Sequence, residues 1–315
     1  MAFILKRIGT SLLLVWAVAT LVFLAIRMVP GDPAALLLSQ SGASPDPATV
    51  ATLRAQLGLD RPVYVQYGEA MLGAVQGDLG KSLRDGTPVR QQIALRLPRT
   101  LELIGAAGLL AVLFGLPLGT IAALRRGQWL DRLITAVAGL SLSVPVFVIG
   151  TLFVMVFAQQ LRWVPAGGFV SFEQNPGQHL LLLLMPALTI AIGLVAIVTR
   201  MTRAAVLDVL SRDFIRTARA KGVSRGRIIL HHVLRNAMMP VVTVLALNLG
   251  GLLGGTVLVE FVFNWPGLSG YLVSAVGARD YPEVVGIILV ISVLFVLLNM
   301  AVDLFYAVLD PRVRQ

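Results

Sequence analysis

Six runs of 19 to 29 residues contain no Asp, Glu, Lys or Arg: Ile8 to Ile26, Leu103 to Leu124, Leu133 to Leu161, Leu180 to Thr199, Asn236 to Val259 and Val284 to Val302. About 20 apolar residues cross about 30 Å of hydrocarbon as a helix, and a helix satisfies its own backbone there without a neighbour. Composition agrees, with 57% hydrophobic and 13% charged residues against the roughly 25% charged content of a soluble domain. The expected fold class is therefore an all-α polytopic membrane protein with six transmembrane helices.

Lys6 and Arg7 ahead of the first run, with Ala17-Val18-Ala19 inside it, imitate a signal peptide. Cleavage there would leave TLVFLAI at the head of the mature chain, and the run is longer than a usual signal core, so it is read as a retained helix. With the N-terminus inside, the inner segments hold 16 of the 26 Lys and Arg, nine of them between Arg200 and Arg235. Seven of the other ten lie between Arg54 and Arg99, in an outer segment long enough to cross with little regard to charge. Both termini are expected in the cytoplasm.

The chain has no cysteine and three histidines, His179, His231 and His232, so disulfides, thiolate sites and a metal centre are not expected. The formal charge of +10 does not argue for nucleic acid. Its excess sits mostly in one inner loop, where only Asp208 and Asp213 oppose the nine cations, and an anionic lipid leaflet attracts such a loop.

The first outer segment opens with MVPGDPAALLL, a turn set by Pro30, Gly31 and Pro33. It continues as a capped, amphipathic pair of short helices with Ala51, Leu53, Leu57, Leu59, Val63, Val65, Tyr67, Met71 and Leu72 on the apolar face, fit to lie on the membrane, on the bundle or against a partner. GDLGKS, Gly77 to Ser82, ends like a phosphate-binding loop, yet Val75 stands where the first glycine belongs and no buried strand precedes it; it is read as a turn. GLSG, Gly267 to Gly270, offers a serine but no helix offers the histidine base an intramembrane protease needs.

Few polar residues approach the apolar runs. Glu102, Glu260 and Asp303 fall near helix ends and are expected to reach toward the interface, whereas Asn248 is deeper and suited to a bond across helices. Gly250, Gly251, Gly254 and Gly255 form a double row of small residues for close helix packing, with this chain or another subunit. Pro117, Pro145 and Pro186 are expected to interrupt the second, third and fourth helices.

The inner loop from Arg200 to Arg235 is too long for a turn. Gly222 is expected to end one helix in a left-handed cap and Ser224 to cap the next, whose Ile228, Ile229, Val233 and Leu234 return to the membrane. Ala218 and Gly222 lie four apart on one bare face, with Arg216, Thr217, Arg219, Ala220 and Lys221 around it. That pattern reads as a docking knob for another protein.

At these residues the chain resembles the permeases of ABC importers. Their Glu-Ala-Ala, three residues, Gly, nine residues, Ile-x-Leu-Pro loop is matched here by Arg216-Thr217-Ala218, Gly222 and Leu234, with His232 and Arg235 departing from it. RTARAKG followed by HVLRNAMMP is the variant of the peptide and nickel importers. RMVPGDPA, LRAQLGLDRPVYVQY, LRLPRTLEL, SVPVFVIG, VEFVFNWPGLSGYLVSAVGARDYP and VDLFYAVLDPRVR extend the likeness over nearly the whole chain. It is similar to the B-type permease of dipeptide and oligopeptide importers, a type I importer fold.

The resemblance implies a non-catalytic subunit that pairs with a homologous C-type permease. Two ATP-binding subunits, which carry ATP and Mg²⁺, would dock on the coupling loop at Arg216 to Gly222, and an external solute-binding protein would deliver substrate. This chain would bind no cofactor of its own. The expected organisation is 1–97, the first helix with the outer segment; 98–308, a five-helix core with its coupling loop at 200–236; and 309–315, a cytoplasmic tail. Glu260, Asn264, Trp265, Pro266 and Gly267, at the outer end of the fifth helix, are candidates for an outer gate. Peptides are the expected substrate, with nickel chelates or glutathione as alternatives; a stand-alone secondary transporter would carry buried ion ligands and broken-helix repeats, which the sequence does not offer.

Overall fold

The computed structural model describes residues 2–28, 34–35, 38, 46–56 and 58–309, and of these the side chains of all but 2–8, 26 and 302–309. The expected turn at Pro30 to Pro33, Leu57, the Asp303 side chain and the tail from 310 lie outside this description. Among the described residues the chain is helical: α1 Ala2–Met28, α2 Pro47–Gln56, α3 Val63–Gln76, α4 Val89–Leu124, α5 Trp129–Ser143, α6 Val146–Gln160, α7 Pro176–Ser211, α8 Asp213–Ala220, α9 Arg225–Gly255, α10 Val257–Val262, α11 Leu268–Ala278 and α12 Tyr281–Leu309. Four helices, α4, α7, α9 and α12, are long and apolar enough to cross a membrane, and the α5–α6 pair makes a fifth if it counts as one bent span. The apolar stretch Gly9–Ala25 lies within α1.

Two compact units are formed, Met1–Arg99 with Gly267–Leu297, and Thr100–Pro266 with Leu298–Gln315. In the first, α3 joins α1 through Tyr67, whose hydroxyl meets Thr20 Oγ1 at 2.7 Å and whose ring meets Phe23 edge-on at 5.3 Å. α3 is therefore held on the chain itself, although Val63, Tyr64 and Leu72 remain exposed. Pro62 at the start of α3 makes no side-chain capping bond; its carbonyl accepts from Val65 N at 2.9 Å.

The GDLGKS segment is more than a turn. Gly77 ends α3 at φ 77°, and Ser82 is buried, donating to Asp280 Oδ2 at 2.6 Å while Leu83 N donates to the same oxygen at 2.8 Å. Asp280 thus ties this segment to the α11–α12 corner. Around it Val89, Ile93, Leu268, Tyr271, Ala275, Val284 and Ile287 form the unit's core.

In the second unit α7 is the most enclosed of the long helices, with α5, α6 and α9 packed on it. Asn175 starts it, accepting from Gln178 N at 3.0 Å with Pro176 in the first turn, which is the favoured chemistry of a helix start. α4 crosses α7 closely because Gly119 has no side chain: a Cβ there would stand 2.5 Å from the Thr199 carbonyl oxygen, and one at Gly115 would stand 2.7 Å from Val198. Small residues four apart permit such an approach.

The three expected proline interruptions separate. Only Pro145 breaks its helix: Val144 before it is extended, φ −92° and ψ 125°, as a residue preceding proline tends to be, and α5 and α6 meet at 96°. Pro117 and Pro186 sit inside continuous helices. α9 contains a wider π-type stretch at Ile228–Leu234 upstream of Pro240.

Candidate functional site

Two regions of the second unit, at opposite ends of α7, bring together the residues singled out above. α7 has 36 residues, about 54 Å at 1.5 Å per residue, well beyond the roughly 30 Å of a hydrocarbon core.

At its C-terminal end lies α8. Gly222 takes φ +76°, its N–H donates to the Arg219 carbonyl at 3.0 Å, and Val223 N donates to the Ala218 carbonyl at 3.2 Å. This pair of bonds is the left-handed termination expected of that glycine. Ser224 holds extended geometry before α9 but makes no side-chain cap, contrary to expectation; its carbonyl instead accepts from Ile228 N at 3.0 Å.

The bare Ala218–Gly222 face is corrected by the packing. Ile215 is fully buried and Ala218 packs half-buried against the same core, because i and i+3 share a helix face and burying the isoleucine turns that face inward. The side left open carries Phe214, 42% exposed, with Arg216, Thr217, Arg219, Ala220, Lys221 and Gly222. Exposed pairs Arg212–Asp208 at 2.8 Å and Arg216–Asp213 at 3.5 Å trim its charge and add little stability.

Sequence reasoning missed a bond that supports this end. Arg203 on α7 forks onto Asp131 on α5, Nε to Oδ1 at 2.6 Å and Nη2 to Oδ2 at 2.8 Å, and Gly127 N donates to the same carboxylate at 2.9 Å. The only advance signal was an acidic residue in the first turn of a helix.

At the other end Glu260 is 2% exposed and accepts from Thr100 Oγ1 at 2.8 Å and Thr256 Oγ1 at 2.9 Å. It does not reach for the interface as expected: two hydroxyls replace water for its oxygen, which is how a buried carboxylate is tolerated. Trp265 is buried and its N–H donates to the Glu260 carbonyl at 2.8 Å through the backbone. Asn264 is exposed at φ 48°, and Pro266 is half-buried. Gly267 is buried and belongs to the first unit.

His179, considered only as a metal ligand from sequence, lies beside Trp265, with ring centroids 6.0 Å apart. Its Nδ1 meets the Val170 carbonyl at 2.7 Å and its Nε2 meets Glu102 Oε1 at 2.5 Å. Phe169 and Phe172 stand edge-on to the ring. Glu102 is therefore also committed to a partner rather than to the interface. Phe263 is buried, and the Gly168 N–H donates to its carbonyl at 2.8 Å.

Among the described residues, three of the four glycines in the α9 row meet no neighbour. Gly250 is buried, but a Cβ at Gly251, Gly254 or Gly255 would meet nothing within 4 Å. Asn248 bonds the Val244 carbonyl of its own helix at 2.7 Å, not a neighbouring helix, because a carbonyl one turn back is always within its reach.

The chain matches two family models, one described as the binding-protein-dependent transport system inner membrane component over residues 115–315 and one as the N-terminal part of such membrane components over residues 1–104. It is 44% identical over 312 residues to the glutathione transport system permease protein GsiC of Escherichia coli O6:H1, covering 99% of this chain and 98% of that protein. The GsiC of Shigella flexneri serotype 5b is 43% identical over the same extent. Among solved structures, an inward-facing methionine ABC transporter, MetNI, aligns over 70% of this chain and 97% of its own with TM-score 0.56 at 19% identity. An amino acid ABC transporter aligns over 68% and 92% with TM-score 0.52 at 16% identity; these two likenesses speak for the fold. The chain belongs to the family of binding-protein-dependent transport system inner membrane components: it is a multi-pass permease subunit of an ABC importer of the bacterial inner membrane.

Proposed function

We propose that this permease imports short peptides, glutathione foremost, together with a homologous second permease, two ATP-binding subunits holding ATP and Mg²⁺, and an external solute-binding protein. The observation that carries the substrate is the end-to-end 44% identity to GsiC; glutathione is the alternative that the sequence offered beside the di- and oligopeptides it favoured. The chain itself performs no covalent chemistry.

In this reading six spans, α1, α4, the α5–α6 pair, α7, α9 and α12, leave both termini in the cytoplasm. In that topology α8 faces the cytoplasm, and its open side with Phe214, Thr217 and Lys221 meets the ATPase. Closure of the ATPase dimer moves α8 and shifts the permease pair between inward-open and outward-open states, which requires nucleotide to interact differently with the two. Glu260, Asn264, Trp265 and Pro266 lie at the outer end.

The test is uptake of labelled glutathione by cells lacking and regaining this chain, with dipeptides as competitors, alongside co-purification in mild detergent. Glutathione uptake restored by the chain, and recovery of a second permease with ATPase, is the expected result. Uptake of dipeptides alone would overturn the glutathione assignment, and recovery of the chain without partners in several detergents would overturn the assembly.

A further inference from the structure

We propose that a cavity of the first unit, between α1, α3 and the start of α12, holds the headgroup of an ethanolamine phospholipid, its phosphate on Arg27 and its ammonium on Asp78. The proposal rests on the reading above that α1 and α12 cross the membrane.

The cavity measures about 290 Å³, close to the lower end, about 300 Å³, of small-molecule sites. It has room for a headgroup, and its walls are layered as a lipid is. Phe23, Val285 and Leu289 line it from within the uncharged runs Ile8 to Ile26 and Val284 to Val302, at hydrocarbon depth. Arg27 and Tyr281 line it from just outside the two runs, at the level where headgroups lie. Asp78 lines it from the turn after α3. That turn sits on the first turn of α12, since a Cβ on Gly80 would stand 3.5 Å from the Pro282 side chain.

The charges fit a zwitterion. Arg27 is half-buried, donates to the Gln66 side-chain oxygen and lies over the Phe23 ring, Cζ 4.4 Å from the centroid. Both of those partners are uncharged, and among the described residues no carboxylate pairs with it. A guanidinium in that condition is suited to a phosphate, which it can grip at two points. Asp78 accepts from Gly80 N at 2.9 Å and likewise pairs with no cation among the described residues. Glu69, the third charged residue of the wall, is held by Arg61 at 2.6 Å. An unmatched positive charge therefore stands beside the apolar walls and an unmatched negative one at the turn. In an ethanolamine lipid the phosphate lies next to the chains and the N–H-bearing ammonium at the far end, the same order. A glycerol headgroup offers Asp78 no cation.

The chain has no cysteine, which permits a test independent of transport. Ala74→Cys puts a thiol on the half-buried cavity wall, and Val75→Cys, at a position 88% exposed, supplies the reference. The importer carrying each variant is purified into nanodiscs of phosphatidylglycerol, alone or with phosphatidylethanolamine replacing half of it. The ratio of maleimide rates on this chain, Ala74→Cys over Val75→Cys, is then measured. Phosphatidylethanolamine is expected to lower the ratio about threefold or more, since protection grows as 1 + [L]/Kd. Arg27→Gln, and separately Asp78→Asn, which keeps an oxygen for Gly80 N, should each return it to the phosphatidylglycerol value. An equal ratio in the two lipids, or protection that survives either substitution, overturns the proposal. Protection by soluble glutathione in phosphatidylglycerol alone also overturns it, by giving the cavity to a transported solute. In spheroplasts an impermeant maleimide should reach Val75→Cys from outside. Failure there overturns the membrane topology and the proposal with it, whereas success there with a lipid-independent ratio overturns the lipid site alone.

Discussion

Arg203 and Asp131 show how much a single pair can fix. The carboxylate side chain is 5% exposed and the guanidinium 30%, and the contact is a two-point fork at 2.6 and 2.8 Å, a geometry lysine cannot reproduce. Arg203→Ala leaves a buried carboxylate with the Gly127 N–H as its main remaining donor. The expected loss is about 1 to 3 kcal/mol, toward the lower end because the guanidinium is partly solvated. Arg203→Lys should fall between parent and Ala in the thermal melting of the purified importer; three equal melting curves would show that the fork carries no stability. Glu260 poses a parallel case. Glu260→Gln keeps an acceptor for the Thr100 and Thr256 hydroxyls and should melt close to the parent, whereas Glu260→Leu removes it and should cost about 1 to 3 kcal/mol. Neither pairing was readable in the sequence. Asp131 and Arg203 are 72 residues apart, Thr100 and Glu260 are 160 apart, and a lone charge near a helix end gives no hint of a distant partner.

Between elements, glycine placement is the discriminating feature. The sequence drew attention to the α9 row because four glycines crowd into it, yet three of them face open space, while Gly115 and Gly119 make the tight crossing of α4 on α7. Pro117 between them read as a kink and hid the small-residue spacing on either side. The long apolar runs were legible because hydrocarbon length sets them; which face of each helix meets a neighbour was not, since a membrane helix is apolar on both its lipid and its protein sides. Gly119→Ala should force α4 and α7 apart and cost about 1 to 3 kcal/mol, seen as a lower melting temperature. Gly254→Ala, with nothing within 4 Å, should be neutral or stabilising by up to about 1 kcal/mol through helix propensity in the chain alone. If the second permease packs on that row, Gly254→Leu will lower its co-purification while leaving this chain inserted; undiminished recovery of the partner would place the interface elsewhere.

For the whole importer, the coupling role proposed for α8 requires it to pass force to helices tens of ångströms long. Ile215, fully buried, and the half-buried Ala218 bind it to the core of its own unit, so a push on its open side moves α7 and α9 instead of peeling α8 away. That splits the loop into an anchoring face and an open face, the one proposed to meet the ATPase. The glycine, basic residues and spacing that mark the loop were readable from sequence, but the two faces were not, because the anchoring isoleucine is one apolar residue among polar ones. Gly222→Glu is a poor probe of docking, since φ +76° strains any side chain there and the effect would mix strain with charge. Phe214→Ala and Thr217→Glu act on the open side alone. Each should leave the chain inserted and paired with its permease partner. Each should also weaken the ATPase contact by roughly 2 kcal/mol, the scale of an interface hot spot, and lower uptake more than ATP hydrolysis. Ile215→Ala should instead destabilise the chain by about 2 to 5 kcal/mol and reduce its amount in the membrane. Measuring uptake per assembled complex separates the two outcomes, and normal coupling in both open-face variants would move the ATPase contact away from α8.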